Sequence, residues 1–283
     1  GGELALTLWL MVSGWATGFL IYAFLARHTN SVFALAIAIL FLTTPAILYS
    51  GGSGHVEVRS AGFVLAATIL FIDARESGKA RAFAIVGILA GYFIATKYFG
   101  LIFAASLGLI ILLSQRNIKA VLVYSFFTLI IGCQWYVWNF THTGDPLFPS
   151  LFSYIGAPDN PYWTVSHSKS FSDYFSVAEN PLTINLFNWF MYPVYATFHN
   201  VSGLESARTG FGIFIFFILP FVIYGSVKFR FWKNGNFIFF SLSALFFTIW
   251  FFSGTTQRAR HLVPIYPLIL IGTCLLAHQV SEF

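Results

Sequence analysis

Long uncharged apolar runs alternate with short polar joints along this chain. A helix needs about 20 apolar residues to cross the hydrocarbon of a bilayer. That yardstick predicts spans near residues 4–26, 31–50, 58–74, 82–96, 99–114, 119–138, 209–227, 236–253 and 262–280. The run 82–114 is too long for one crossing and divides at Thr96-Lys97-Tyr98-Phe99-Gly100. The joints are short except for residues 139–208, a polar-aromatic segment containing Pro146, Pro149, Pro158, Pro161 and Pro181. Inside it, Thr183 to His199 is aromatic and amphipathic, interrupted by Pro193, and reads as a helix lying in the membrane interface. The expected fold is all-α: a polytopic transmembrane bundle of about nine spans, one domain over residues 1–283, with 139–208 as its long loop.

Composition supports the pattern and excludes a water-soluble fold. Hydrophobic residues make up 58% and charged residues only 9%, against about 25% charged in soluble domains. Cys133 and Cys274 both sit in apolar runs, with no disulfide framework and no metal spacing. The net charge of +5 matters less than its distribution. With nine crossings, one set of helix ends carries Arg27, Arg75, Lys79, Arg81, Arg116, Lys119, Lys228, Arg230 and Lys233, with three acids, Asp73, Glu76 and Glu282. The other carries Arg59, Lys97, Lys169, Arg208, Arg258 and Arg260, with seven acids. Cytoplasmic loops are enriched in Lys and Arg, so the first set is expected inside and 139–208 outside. These bases are topology signals, and no nucleic-acid partner is expected. The chain opens on Gly1-Gly2 and enters a span at once, as a piece of a longer protein would.

The outer joints hold the candidate chemistry. A lysine at mid-bilayer costs about 2.5–3.5 kcal/mol on insertion scales, so Lys97 needs a partner unless it snorkels to the headgroups. Ser50 to Arg59 places His55, Glu57 and Arg59 where a helix begins. Glu57 falls in its first turn, where the helix dipole favours a carboxylate. That placement suits a structural cap, or a carboxylate facing a cavity and pairing Lys97. Arg258, Arg260 and His261 share one span end; the two guanidiniums suit a phosphate or pyrophosphate, or simple headgroup anchoring. Trp135, Tyr136 and Trp138 fit an interfacial aromatic belt, and Thr143-Gly144-Asp145-Pro146 is turn chemistry. Asn139-Phe140-Thr141 and Asn200-Val201-Ser202 match the glycosylation acceptor pattern on the outer side.

Four segments, PAILYSGGSGHVEVRSAGFVLAATILF (45–71), GYFIATKYFGLIF (91–103), WNFTHTGDPLFPSLF (138–152) and RARHLVPIYPLIL (258–270), together resemble the GT-C superfamily of integral-membrane glycosyltransferases. The resemblance is to its protein mannosyltransferase and aminoarabinose transferase branch. It implies transfer of a sugar from a polyprenyl-phosphate donor to a lipid, glycan or protein acceptor, on the extracytoplasmic face of a bacterial inner membrane. It assigns Glu57 to a secondary acidic position with a catalytic role. It assigns Lys97, Arg258 and Arg260 to the donor phosphate. His55, Arg59, Tyr98 and His261, at the same outer joints, are candidate substrate contacts by position. The principal carboxylate of the family belongs to a first outer loop that would precede residue 1, so residues 1–283 alone are expected to be inactive. No metal or other cofactor is expected, although the family is mixed in its use of divalent ions. A transporter or flippase of lipid-linked sugars is the alternative, or an O-antigen polymerase or ligase-like protein; no internal repeat favours the transporter.

Overall fold

The computed structural model describes residues 2–115, 117–156, 163–206 and 210–281, and these contain helices and no strand. Arg116, Arg208 and Glu282, counted in the charge bias, lie outside the described residues, as do Pro158 and Pro161. The helices are α1 (Gly2–His28), α2 (Ser31–Thr43), α3 (Pro45–Gly52), α4 (Glu57–Ser77), α5 (Ala80–Thr96), α6 (Phe99–Gln115), α7 (Ile118–Gly132) and α8 (Gln134–Thr143). After these come α9 (Phe152–Ile155), α10 (Val165–Ala178), α11 (Leu186–Phe198), α12 (Phe214–Lys228), α13 (Ile238–Phe252) and α14 (Tyr266–Ser281). A 3₁₀ segment, Ala259–Ile265, leads into α14.

Among the described residues, three helical stretches are long and apolar enough to cross a membrane: Gly2–His28, Gly235–Phe252 and Ala259–Ser281. Two bent pairs raise the number to five. The expected span 31–50 is α2 and α3 meeting at 56°, and the expected span 119–138 is α7 and α8 meeting at 54°. The first bend has a local cause. A residue before proline avoids the α region, and Thr44, before Pro45, is extended at φ −64°, ψ 131°. The division of 82–114 falls where its length demanded: α5 ends at Thr96, α6 begins at Phe99, and both are apolar helices of 17 residues. The aromatic stretch in the long segment forms α11, capped by Asn185, whose side chain accepts from the Asn188 N–H.

Packing is closest between α5 and α7. Gly87 and Gly91 form a small-xxx-small stripe that lets two backbones approach. A Cβ at Gly87 would run into the Tyr124 carbonyl, and one at Gly91 would meet the Thr128 carbonyl and Ile131. Thr128 Oγ1 donates to the Gly87 carbonyl across this contact at 3.1 Å. The outside of the bundle is apolar. Trp15, Phe19, Leu122, Leu129, Phe217 and Phe221 are all more than half exposed, far beyond the patches of a water-soluble monomer and consistent with a lipid surround.

The bundle has two distinct ends. At one, Phe24 of α1 packs on Phe239 of α13, Phe33 of α2 meets the His278 ring of α14, and the Arg75 guanidinium lies against Gly235. At the other, the start of α1 reaches Gly54, and Glu57, Lys97 and Arg260 come together.

Candidate ion-paired site

Lys97 occupies the two-residue joint between α5 and α6. Its backbone is extended at φ −159°, its N–H donates to the Phe93 carbonyl, and its own carbonyl accepts from the Gly100 N–H. The joint can be this tight because position 100 is glycine: a Cβ there would strike the backbone of Phe93 and Ile94. The lysine stem passes Phe99, placing Nζ 5.3 Å from the ring centroid, and Nζ donates to Glu57 Oε1 at 2.5 Å.

Glu57 is the first residue of α4 and its side chain is 2% exposed. The N-cap position itself is Val56, which makes no side-chain cap; Glu57 places its charge at the positive end of the helix. Three cationic or potentially cationic groups surround Oε1: Lys97, Arg260 Nε at 3.7 Å and His261 Nε2 at 3.8 Å. Oε2 is buried with no hydrogen-bond partner. Burial pushes this carboxyl upward, but the Lys97 ammonium and its hydrogen bond outweigh that, so Glu57 titrates below the ordinary carboxylate range.

The arginines converge although two residues separate them. Arg258 precedes the 3₁₀ segment in extended geometry, and Arg260 lies inside it. Arg258 grips both carboxylate oxygens of Glu179 through Nε and Nη2, and donates from Nη1 to Glu205 Oε1 at 2.7 Å. Arg260 Nε lies 3.4 Å from Glu205 Oε2. Its Nη1 donates to His55 Nε2 at 3.0 Å, which makes that nitrogen an acceptor. Burial and then the charge of Arg260 draw the His55 pKa down. His261 is buried against Phe99, with ring centroids 4.6 Å apart.

Gln257 anchors this segment. It is 1% exposed. Its Oε1 accepts from the Leu182 N–H and its Nε2 donates to the Leu182 carbonyl, both at 2.8 Å. Its backbone N–H donates to the Glu179 carbonyl and its carbonyl accepts from the Tyr192 hydroxyl.

The structure thus brings together Glu57, Lys97, His55, Arg258, Arg260 and His261. Arg59 and Tyr98 stand outside the network. Residues two apart on a helix point about 200° from each other, and the Arg59 Nε is buried without a hydrogen-bond partner. Tyr98 donates to the Phe148 carbonyl at 2.7 Å and accepts from the Asn139 amide at 3.0 Å. This engages Asn139, the first of the two acceptor-pattern asparagines, in the fold. Tyr98, Asn139, Trp135, Phe148 and Lys97 line a cavity of about 310 Å³. The Thr143–Pro146 turn is structural: Asp145 is fully buried and accepts from the Leu147 and Leu151 N–H groups.

Glu179 and Glu205 were not picked out by the sequence reading. Only the acidic excess at this set of helix ends pointed to them. A second cavity, of about 370 Å³ and almost wholly apolar, reaches the 3₁₀ segment at Leu262. Tyr192 and Ala196 of α11, Leu219 and Val222 of α12, Phe247 of α13 and Leu262, next to His261, form its walls. No protein-family profile, curated protein or solved structure matches the chain.

Proposed function

We propose that this chain is the membrane domain of a glycosyltransferase that moves a sugar from a polyprenyl-phosphate donor to a lipid, glycan or protein acceptor on the extracytoplasmic face. The observation that carries the reading is the placement of the two arginines, Lys97 and a buried carboxylate beside an apolar cavity at one end of a lipid-facing helical bundle. A prenyl phosphate is an anion on an apolar chain. Arg258, Arg260 and Lys97 supply the charges that hold the anion, and the cavity under α11 supplies the apolar wall. The cavity at Tyr98, with aromatic faces and an amide, suits a hydroxylated ring.

In this reading Lys97 stabilises the negative charge that grows on the departing phosphate oxygen. Glu57 keeps the ammonium in place and in its charged form, and orients a substrate hydroxyl once the pair opens. The chain crosses a bacterial inner membrane about nine times, with the shorter helices α4, α5, α6 and α12 completing crossings. Helix α11 lies on the outer leaflet.

The test is transfer from a radiolabelled polyprenyl-phosphate sugar by the intact protein in proteoliposomes. Removing one preorganised electrostatic donor costs about two orders of magnitude in turnover, so Lys97→Ala should show that loss and Lys97→Arg should recover part of it. Translocation of the donor without sugar transfer or donor hydrolysis would identify a flippase and overturn the reading.

A further inference from the structure

Three cations, Lys97, Arg258 and Arg260, face three carboxylates, Glu57, Glu179 and Glu205. The three acids are not equivalent. The side chains of Glu57 and Glu179 are 2% and 5% exposed, and that of Glu205 is 15% exposed. Glu179 is held by the Nε–Nη2 edge of Arg258 and by the Thr256 hydroxyl. Glu205 instead spans two arginines, one carboxylate oxygen toward each. A phosphate group would meet a pair of guanidiniums in the same manner, with two oxygens on two forks.

The backbone at Glu205 has an uncommon conformation. Its φ of 53° is in the left-handed region, where a side chain with a Cβ is disfavoured. The residues on either side are fixed. Leu204 is fully buried, and the Ser206 hydroxyl accepts from the Val201 N–H and donates to the His199 carbonyl. The turn therefore aims the carboxylate at the arginines, while the side chain itself lies at the open edge of the network.

We propose that Glu205 is an internal counter-ion that occupies the anion site of Arg258 and Arg260 and exchanges for the phosphodiester group of an incoming ligand. The inference rests on the function proposed above and adds a specificity rule to it. Among the described residues, exchanging one carboxylate for one phosphodiester keeps the three-against-three balance, so the site takes a singly charged diester in preference to a doubly charged monoester. With no ligand bound, Glu205 supplies the third negative charge; Glu57 and Glu179 alone would leave the three partly buried cations one charge short, which is costly at low dielectric.

The experiment uses the intact protein in phosphatidylcholine nanodiscs, titrated calorimetrically with citronellyl methyl phosphate, a prenyl phosphodiester, and with citronellyl phosphate, the monoester. Charge-pair couplings at interfaces correspond to about tenfold or more in affinity, so Glu205→Gln should bind the diester about tenfold more tightly than the unaltered protein. Glu205→Gly should do the same and also tolerates the backbone conformation. Inorganic phosphate and discs containing phosphatidylglycerol separate the sources of the anion. A gain that vanishes in phosphatidylglycerol discs makes the membrane headgroup the occupant and leaves the exchange intact. Unchanged or weaker diester binding by both variants overturns the exchange, and so does loss of the unfolding transition in both, which would make Glu205 a folding residue. Arg258→Ala should lose diester affinity, and unchanged affinity would overturn the exchange as well; the function proposed above fails separately, if the Glu205 variants gain diester affinity while the intact protein translocates the polyprenyl-phosphate sugar without transferring or hydrolysing it.

Discussion

The two ends of the bundle carry the same residue types in opposite states. At the end of Arg27, Arg75, Lys79, Arg81 and Lys119, four of these five side chains are exposed, and none has a carboxylate within ion-pair distance among the described residues. At the other end, Lys97, Arg258 and Arg260 are partly buried and each holds a carboxylate from a distant part of the chain. A solvated cation at a helix end supports orientation in a membrane. A desolvated cation must be balanced, and its balance then depends on every other charge in the cluster. Basic count therefore finds topology, whereas partnership finds a site.

Lys97→Ala should break the contrast most strongly. It leaves the Glu57 carboxylate buried with only the longer Arg260 and His261 contacts, a change that costs about 3–5 kcal/mol when a buried pair loses one partner. Chemical unfolding in detergent, followed by circular dichroism, should show this loss. The double variant Lys97→Met, Glu57→Gln should regain most of it. A single variant as stable as the parent would place Lys97 among the solvated cations.

A smaller effect is expected with pH. The Glu57 pKa lies below its unfolded value, so its stabilisation is full above the ordinary carboxylate range, near pH 4.3. It declines as pH falls through the lowered folded value. The unfolding midpoint of the parent should fall more steeply below about pH 4 than that of the double variant. Parallel profiles would show that Glu57 does not contribute.

The smallest effect belongs to the opposite end. Arg81→Ala should change stability by no more than about 0.5 kcal/mol, as surface substitutions do. The same comparison orients the bundle. Cysteines placed at exposed Ser77 and Ser170 should react with an impermeant reagent from opposite sides of a sealed vesicle. Equal reaction from one side would remove the orientation.

Much of this arrangement was legible before any coordinates. The length of 82–114 demanded a joint at Lys97, and the cost of a lone lysine near lipid demanded a partner. Glu57 was the nearest acid at a matching helix end. The bend at Thr44 was also written in the chain, since Pro45 restricts the residue before it. The bend at Cys133 has no comparable local signal. The acids on Arg258 were harder to find. Glu179 and Glu205 lie 79 and 53 residues from it, inside a segment whose course no periodicity describes. An ion pair across such a distance follows from packing, which a hydrophobic pattern reports only as inside or outside.

Gln257 has a bearing on how the site endures changing conditions. By taking both the N–H and the carbonyl of Leu182, its amide does for an isolated loop what a neighbouring strand does in a sheet. The bonding is neutral and shielded, so added salt has no charge there to screen and acid has no proton to place. When ionic strength loosens the guanidinium contacts, the loop that carries them stays where it was. Arg258 and Arg260 then keep the same backbone beneath them whether their ion pairs are made or screened.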